Sequence, residues 1–269
     1  MTQPTRDSDQ HRTRRPEQLG PRQRLWRRHN DGLNRRLIEG WLAKHKPARV
    51  LKTDLYEEAV AEGVIAPLAR SGAEVVGIDL SPDVVSAIGK TDGSLRVVCG
   101  DVSCLPFPRA SFDAILSTST LDHFETQEMI LSALTELARA LRPGGELLLT
   151  LDNLDNPAVR LRNAMPRTLT EGSGLVPYPV GVTCGRRDLR RFLVQAGLEV
   201  LHMGTALHCP RAPAVAPARL FERGAPPLQA AFLAALSVWE LLGHLPTCGW
   251  TGYYIIVRAR RPANAAEQR

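Results

Sequence analysis

The chain has 269 residues, 43% of them hydrophobic and 23% charged, the balance of a soluble folded protein with a large core. Lysine and arginine outnumber acids by 34 to 28, and much of the net charge of +6 falls in the first 46 residues, which argues against a basic nucleic-acid face spread along the chain. Five scattered cysteines form no metal-ligand spacing, no run reaches the roughly 18 apolar residues of a membrane span, and the polar start lacks a secretory leader, so the expected setting is the cytoplasm with mostly buried, reduced thiols.

Residues 1–20 are too polar to offset the entropy of ordering and are expected to be a disordered basic arm. Within residues 21–46, Trp26, Leu33, Leu37 and Trp41 recur at helical spacing among arginines, predicting one or two amphipathic helices that end before Pro47. Such a segment either packs on the domain or covers a ligand.

Residues 47–260 then alternate short apolar runs with helical segments, the pattern of βαβ units. The expected strands are 49–54, 74–79, 95–100, 112–117, 146–151, 198–202 and 252–258, and the expected helices include 57–70, 125–141 and 186–196. Ser81 and Pro82 open a further helix as N-cap and first helical residue. Residues 152–184 read as a long connection on the substrate side, residues 209–245 as a proline-flanked loop followed by an apolar helix over 228–242, and residues 261–269 as a tail. The fold class is therefore α/β, a doubly wound and mostly parallel seven-stranded sheet.

In such a sheet, ligands bind outside the carboxyl ends of the strands near the switch in strand order. Asp79, ending the second strand, has two oxygens that suit the two hydroxyls of a ribose, although an aspartate there also starts a helix cap. Asp101, after the third strand, is placed to accept from an adenine amino group while Val102 packs on the ring.

The runs VVGIDLSPDVV, GDVSCLPFPRASFDAILSTSTLDHF and ELARALRPGGELLLT, in this order between Val50 and Leu151, resemble the class I S-adenosylmethionine-dependent methyltransferases, close to their small-molecule branch. The resemblance implies S-adenosylmethionine as cofactor, with Asp79 and Leu80 at the ribose, Asp101 and Val102 at the adenine, and Ser117 and Thr118 lining the cofactor face. The first turn departs from the family pattern of an acidic residue and glycines. VLKTDLYEEAVAEG places Lys52, Thr53 and Asp54 there, with side chains where backbone is expected. Lys52 would repel the methionyl ammonium unless paired, for example with Asp54; either Asp54 or Glu57 takes over the ammonium contact, or the site holds a different or no cofactor.

Asp122 and His123 follow the fourth strand, His123 either as a base toward an acceptor hydroxyl or amine or as a helix cap. Asp152, Asn153, Arg160 and Tyr178 lie where an acceptor would enter and read as substrate contacts or as loop solvation, the arginine suiting an anionic group. The expected function is methyl transfer to oxygen or nitrogen of a small acceptor such as a sugar, lipid precursor or secondary metabolite. The rival expectation is the same fold without its cofactor, acting as a binding or scaffold protein or as a non-methylating enzyme, and the apolar helix leaves room for a peripheral membrane contact.

Overall fold

A computed structural model describes residues 24–60, 63–91, 95–165 and 181–263. Helix α1 (Arg24–Leu42) leads into β1 (Arg49–Thr53), α2 (Tyr56–Val60), α3 (Ile65–Arg70), β2 (Glu74–Asp79), α4 (Pro82–Thr91), β3 (Arg96–Cys99) and β4 (Phe112–Thr118). A short 3-10 turn (Leu121–His123) precedes α5 (Gln127–Ala140), β5 (Leu141–Asp152), α6 (Pro157–Ala164), α7 (Arg186–Gln195) and β6 (Glu199–Ala206). Helices α8 (Arg211–Phe221) and α9 (Pro226–Val238), a 3-10 segment (Trp239–His244), α10 (Cys248–Thr251) and β7 (Tyr254–Arg260) complete the chain.

The sheet has seven strands in the order β3-β2-β1-β4-β5-β7-β6. Every pair from β3 to β5 is parallel, and β7 runs antiparallel to both its neighbours. Successive residues of a strand face opposite sides, so the apolar runs feed two cores. Leu51, Val76, Ile115, Leu149 and Val257 meet α5 and α7 on one face, whereas Val50, Val75, Ala114 and Leu116 meet Ile38, Trp41, Leu68 and Ile88 on the other. The strand order reverses between β1 and β4, and Thr53 Oγ1 and Thr120 Oγ1 meet at 2.8 Å across that crevice.

Three expectations need correction. The segment 57–70 is two helices, because Gly63 takes a φ of 53° and Glu58 turns its carboxylate to accept from Val64 N at 2.9 Å and Ile65 N at 3.3 Å, capping α3. The proline-flanked stretch expected as a loop within 209–245 is mostly helix α8, with Pro217 inside it. Ala214 and Ala218 are buried there against Leu25, Trp26 and Phe232, and this packing outweighs the hydrogen bond that Pro217 removes. The five cysteines are free thiols, but Cys99 and Cys104 are exposed, while Cys184 and Cys209 are buried.

Helix α1 both packs and covers. Its Leu25 and Trp26 join a third apolar cluster with α8 and α9, its Ile38 and Trp41 pack on the sheet, and Trp41 Nε1 donates to Glu146 at 2.7 Å. Between those anchors, Arg27 lies over the Tyr56 ring with 5.9 Å to its centroid, which brings the helix over the turn that follows β1.

Candidate active site

The turn after β1 manages without glycine. Asp54 adopts a φ of 57°, a conformation that aspartate tolerates better than most residues, and its Oδ1 accepts from Tyr56 N at 3.0 Å. Leu55 enters the core opposite Gly77 of β2, where a Cβ would come within 2.7 Å of the leucine. The missing space in the first turn is thus supplied by a glycine on the neighbouring strand. Lys52 is buried beneath the turn, and its Nζ donates to the carbonyls of Thr53 and Asp54, each at 2.6 Å. Its hydrogen-bond partners are therefore the backbone of Thr53 and Asp54 rather than the carboxylate, and its charge also reaches Glu57 and Asp79.

Replacing Lys52 with aspartate is expected to set a carboxylate against two carbonyls. Lys52→Met alone should lower stability by about 3 kcal/mol by leaving those acceptors unmatched, and Lys52→Asp should lower it further. Thermal unfolding checks this, and a Lys52→Asp protein as stable as the parent would contradict it.

Asp79 ends β2 at the floor of the crevice. Its Oδ2 accepts from Leu55 N at 2.7 Å and its Oδ1 from Ser81 N at 2.8 Å, so it ties the first turn to the start of α4 while each oxygen retains a lone pair. Ser81 also caps α4 by accepting from Val84 N at 3.4 Å. The two sequence readings of Asp79, ribose acceptor and helix start, are thus compatible. Asp101 is exposed, with Oδ1 accepting from the backbone and hydroxyl of Ser103 at 2.8 and 2.7 Å, and Val102 is buried beside it. Thr53 and Ser117 are wholly buried at the strand ends, Ser117 Oγ without a hydrogen-bond partner among the described residues, while Leu80 and Thr118 are partly buried.

Carboxylates crowd this end of the sheet. Burial, and next the charge of Asp54, push Asp79 up to about 6. Burial, followed by Glu57 and Glu58, pushes Asp31 of α1 up to about 7, and burial raises Glu57 as well. Glu57 Oε2 is a buried acceptor with no partner among the described residues. Arg27 and Lys52 offset part of this charge, and the acids outnumber them, so a recess with an open acceptor suits a ligand such as S-adenosylmethionine that carries an ammonium and a sulfonium. The sign of the pH effect follows. These groups must be ionised to attract a cation, so affinity should fall as pH drops from 8 through 7 and 6, by about tenfold per pH unit for each carboxylate that protonates. Calorimetric titrations at several pH values check this; affinity that is flat or rises on acidification would contradict it.

A second polar cluster lies beyond β4 and β5. Asp122 and His123 occupy the 3-10 turn, and His123 Nε2 is 4.0 Å from Asp54 Oδ2, while Thr126 rather than His123 caps α5. Asp122 is buried; burial first, and then the charge of Asp152, push it up to about 7. Asp152 pairs with Arg162 of α6 at 2.7 Å, and Arg162 also donates to the Tyr253 hydroxyl and to Asn163 Oδ1. The Oδ1 atoms of Asp122 and Asp152 are buried without hydrogen-bond partners among the described residues.

The structure rearranges the expected acceptor contacts. Asn153 is fully buried, donating to Gly249 O at 2.8 Å and Gly252 O at 2.9 Å and accepting from Asp155 N, which makes it a staple between β5 and α10 rather than a substrate contact. Arg160 is exposed on α6 and donates to Leu154 O at 3.4 Å. Arg162, the arginine that does face the cluster, is already matched to Asp152. Tyr178 lies outside the described residues.

Residues that sequence reasoning passed over now stand at the site. Arg27 and Asp31 arrive from a helix with no sequence link to the crevice, and Tyr253 from just ahead of the last strand. Asp31 lies on the buried side of that helix, in line with Ile38 one heptad on, and its spacing among apolar positions is the one signal the sequence offered.

Residues 59–149 match the family model of a methyltransferase domain. A stretch of 80 residues, 30% of this chain, is 37% identical to the "Probable tRNA methyltransferase 9B" of Mus musculus. A stretch of 126 residues, 45% of the chain, is 33% identical to the "Fatty-acid O-methyltransferase" of Mycolicibacterium smegmatis. The matches span 17% and 45% of those relatives' lengths. Among solved structures, the N-methyltransferase NodS of Bradyrhizobium japonicum WM9, in complex with S-adenosyl-L-homocysteine, superposes with a TM-score of 0.54 over 95% of this chain and 96% of that one, at 13% identity, which speaks for the fold. Domain match and crevice residues together support S-adenosylmethionine as the cofactor.

Proposed function

We propose that this chain, which carries a class I S-adenosylmethionine-dependent methyltransferase domain, transfers a methyl group from S-adenosylmethionine to oxygen or nitrogen of a small acceptor. The observation that carries this reading is Asp79, held at the end of β2 by two backbone N–H groups and near the charge of Asp54, which in turn neighbours Glu57.

In this reading Asp79 accepts the ribose hydroxyls with its remaining lone pairs, and Asp101 and Val102 flank the adenine. Asp54 and Glu57 hold the methionyl ammonium, and Lys52 fixes the turn from beneath. The bound cofactor supplies an activated methyl group. The chain supplies alignment, which is the main requirement of this displacement, together with a place for the proton that the acceptor loses. His123, 4.0 Å from Asp54, and the nearby carboxyl of Asp122 are the groups beyond β4 able to take that proton. Asp152, anchored by Arg162, forms the wall on the acceptor side.

A small acceptor is the first to assay, since Arg162 beyond β5 is paired with Asp152 and Arg160 is engaged with Leu154 O, which leaves neither committed to a nucleic-acid backbone. The similarity to a protein named as a tRNA methyltransferase makes transfer RNA the second acceptor to assay. Calorimetry with S-adenosylmethionine and S-adenosylhomocysteine tests the reading at its base. Micromolar dissociation constants are expected, and no heat at millimolar ligand would favour the rival, a binding or scaffold protein on the same fold.

A further inference from the structure

Helix α9 carries no charged residue in its sequence PPLQAAFLAALSV, yet among the described residues it buries only Phe232 and Leu236. A helix that is apolar all round is normally enclosed, and a water-facing side normally carries charge. Here the outer side leaves Leu228 and Val238 in solvent, Val238 at 61% exposure. The 3-10 segment packs against the end of this helix and α10 against the 3-10 segment, and together they expose Trp239, Leu241, Leu245 and Trp250, the last at 64% exposure. Six large apolar side chains are thus exposed between residues 228 and 250.

Acids are scarce along this stretch. Glu240 is the sole acid between residues 225 and 253, and it turns inward, accepting from Leu207 N at 3.2 Å and His208 N at 3.0 Å. At the other end, Leu25 N donates to Glu222 at 3.3 Å, joining the start of α1 to the end of α8. That contact places exposed Arg24 and Arg223 along the edge where α9 begins.

We propose that this face docks on a membrane bearing anionic lipid headgroups. Tryptophan is suited to the boundary between headgroups and acyl chains, and the two arginines would meet the headgroup charge at the rim. A second copy of the chain is the less suitable occupant, because the same stretch offers the two rim arginines no outward acid to pair with, Glu240 being turned inward. The inference goes beyond the methyltransferase reading and stands independently of it, since docking needs no methyl donor.

Sedimentation of the full chain with vesicles tests it, using phosphatidylcholine alone and phosphatidylcholine with about one-third phosphatidylglycerol, at 0.1 M and 1 M salt, conditions that separate surface charge from apolar contact. Binding to the anionic vesicles at low salt is expected, at least tenfold tighter than to phosphatidylcholine. Trp239→Ser with Trp250→Ser should abolish it, and Arg24→Gln or Arg223→Gln should each weaken it about fivefold. Unaltered thermal unfolding of these surface variants would show that the fold is intact. Failure of the parent chain to sediment with anionic vesicles would overturn the proposal. So would a dimer in analytical ultracentrifugation that the tryptophan variants dissolve.

Discussion

Asp79→Asn is expected to weaken S-adenosylmethionine binding by on the order of 100-fold. The carboxylate offers two charged acceptors to a ribose, and hydrogen bonds to a charged group contribute about 1.5–3 kcal/mol each. Asparagine keeps one carbonyl acceptor and replaces the other with a donor, which turns an N–H toward either Leu55 N or Ser81 N. It also removes a negative charge from a recess that attracts a cation. Folding should suffer less than binding at pH 8. Burial holds the Asp79 carboxyl up to about 6, so its folded pKa lies above the unfolded value, and the ionised group costs stability above pH 6. The neutral amide escapes that cost. Calorimetry and thermal unfolding on the same sample separate the two effects; affinity within threefold of the parent would remove Asp79 from the site.

The largest expected effect on stability belongs to Arg162. It is the buried cation next to Asp152, it donates to Asn163 and Tyr253, and its guanidinium lies 5.6 Å from the centroid of the Tyr253 ring. Arg162→Met leaves two buried carboxyl groups, Asp122 and Asp152, without that charge. Breaking a buried pair in this way costs about 3–5 kcal/mol, equivalent to a fall in Tm of about 10 °C for a domain of this size. The loss should shrink at pH 5. Asp122 already binds its proton too tightly, and removing the cation favours protonation of both acids, so the folded form of the variant gains protons as pH falls. Adding Asp152→Asn to Arg162→Met should recover much of the stability. If Arg162→Met melts with the parent at pH 8, the cluster is solvated and does not wall the acceptor side.

The parallel core was legible from the sequence because its strands are buried on both faces and read as apolar runs such as VVGID and AILST, punctuated by helix caps such as Ser81-Pro82. Helix α8 was not. Its prolines signal a loop locally, and only burial of Ala214 and Ala218 against α1 and α9 reverses that preference. Among the candidate site residues, the positions of Asp79 and Asp101 were legible because strand ends follow from topology. Lys52 was visible as an anomaly, but its resolution needed Gly77 on another strand and two backbone carbonyls, which no spacing along the chain encodes. Asn153 had the position and polarity of a substrate contact, and lost that role to carbonyls 96 and 99 residues away.

A crystal structure of the chain grown with S-adenosylhomocysteine addresses the crevice most directly. The nucleoside hydroxyls should lie within hydrogen-bonding distance of both Asp79 oxygens, the amine should lie against Asp54 or Glu57, and Lys52 should remain on its two carbonyls. Ligand density elsewhere, or a crevice closed by Tyr56 with no nucleoside beside Asp79, would contradict the assignment of this cleft as the cofactor site.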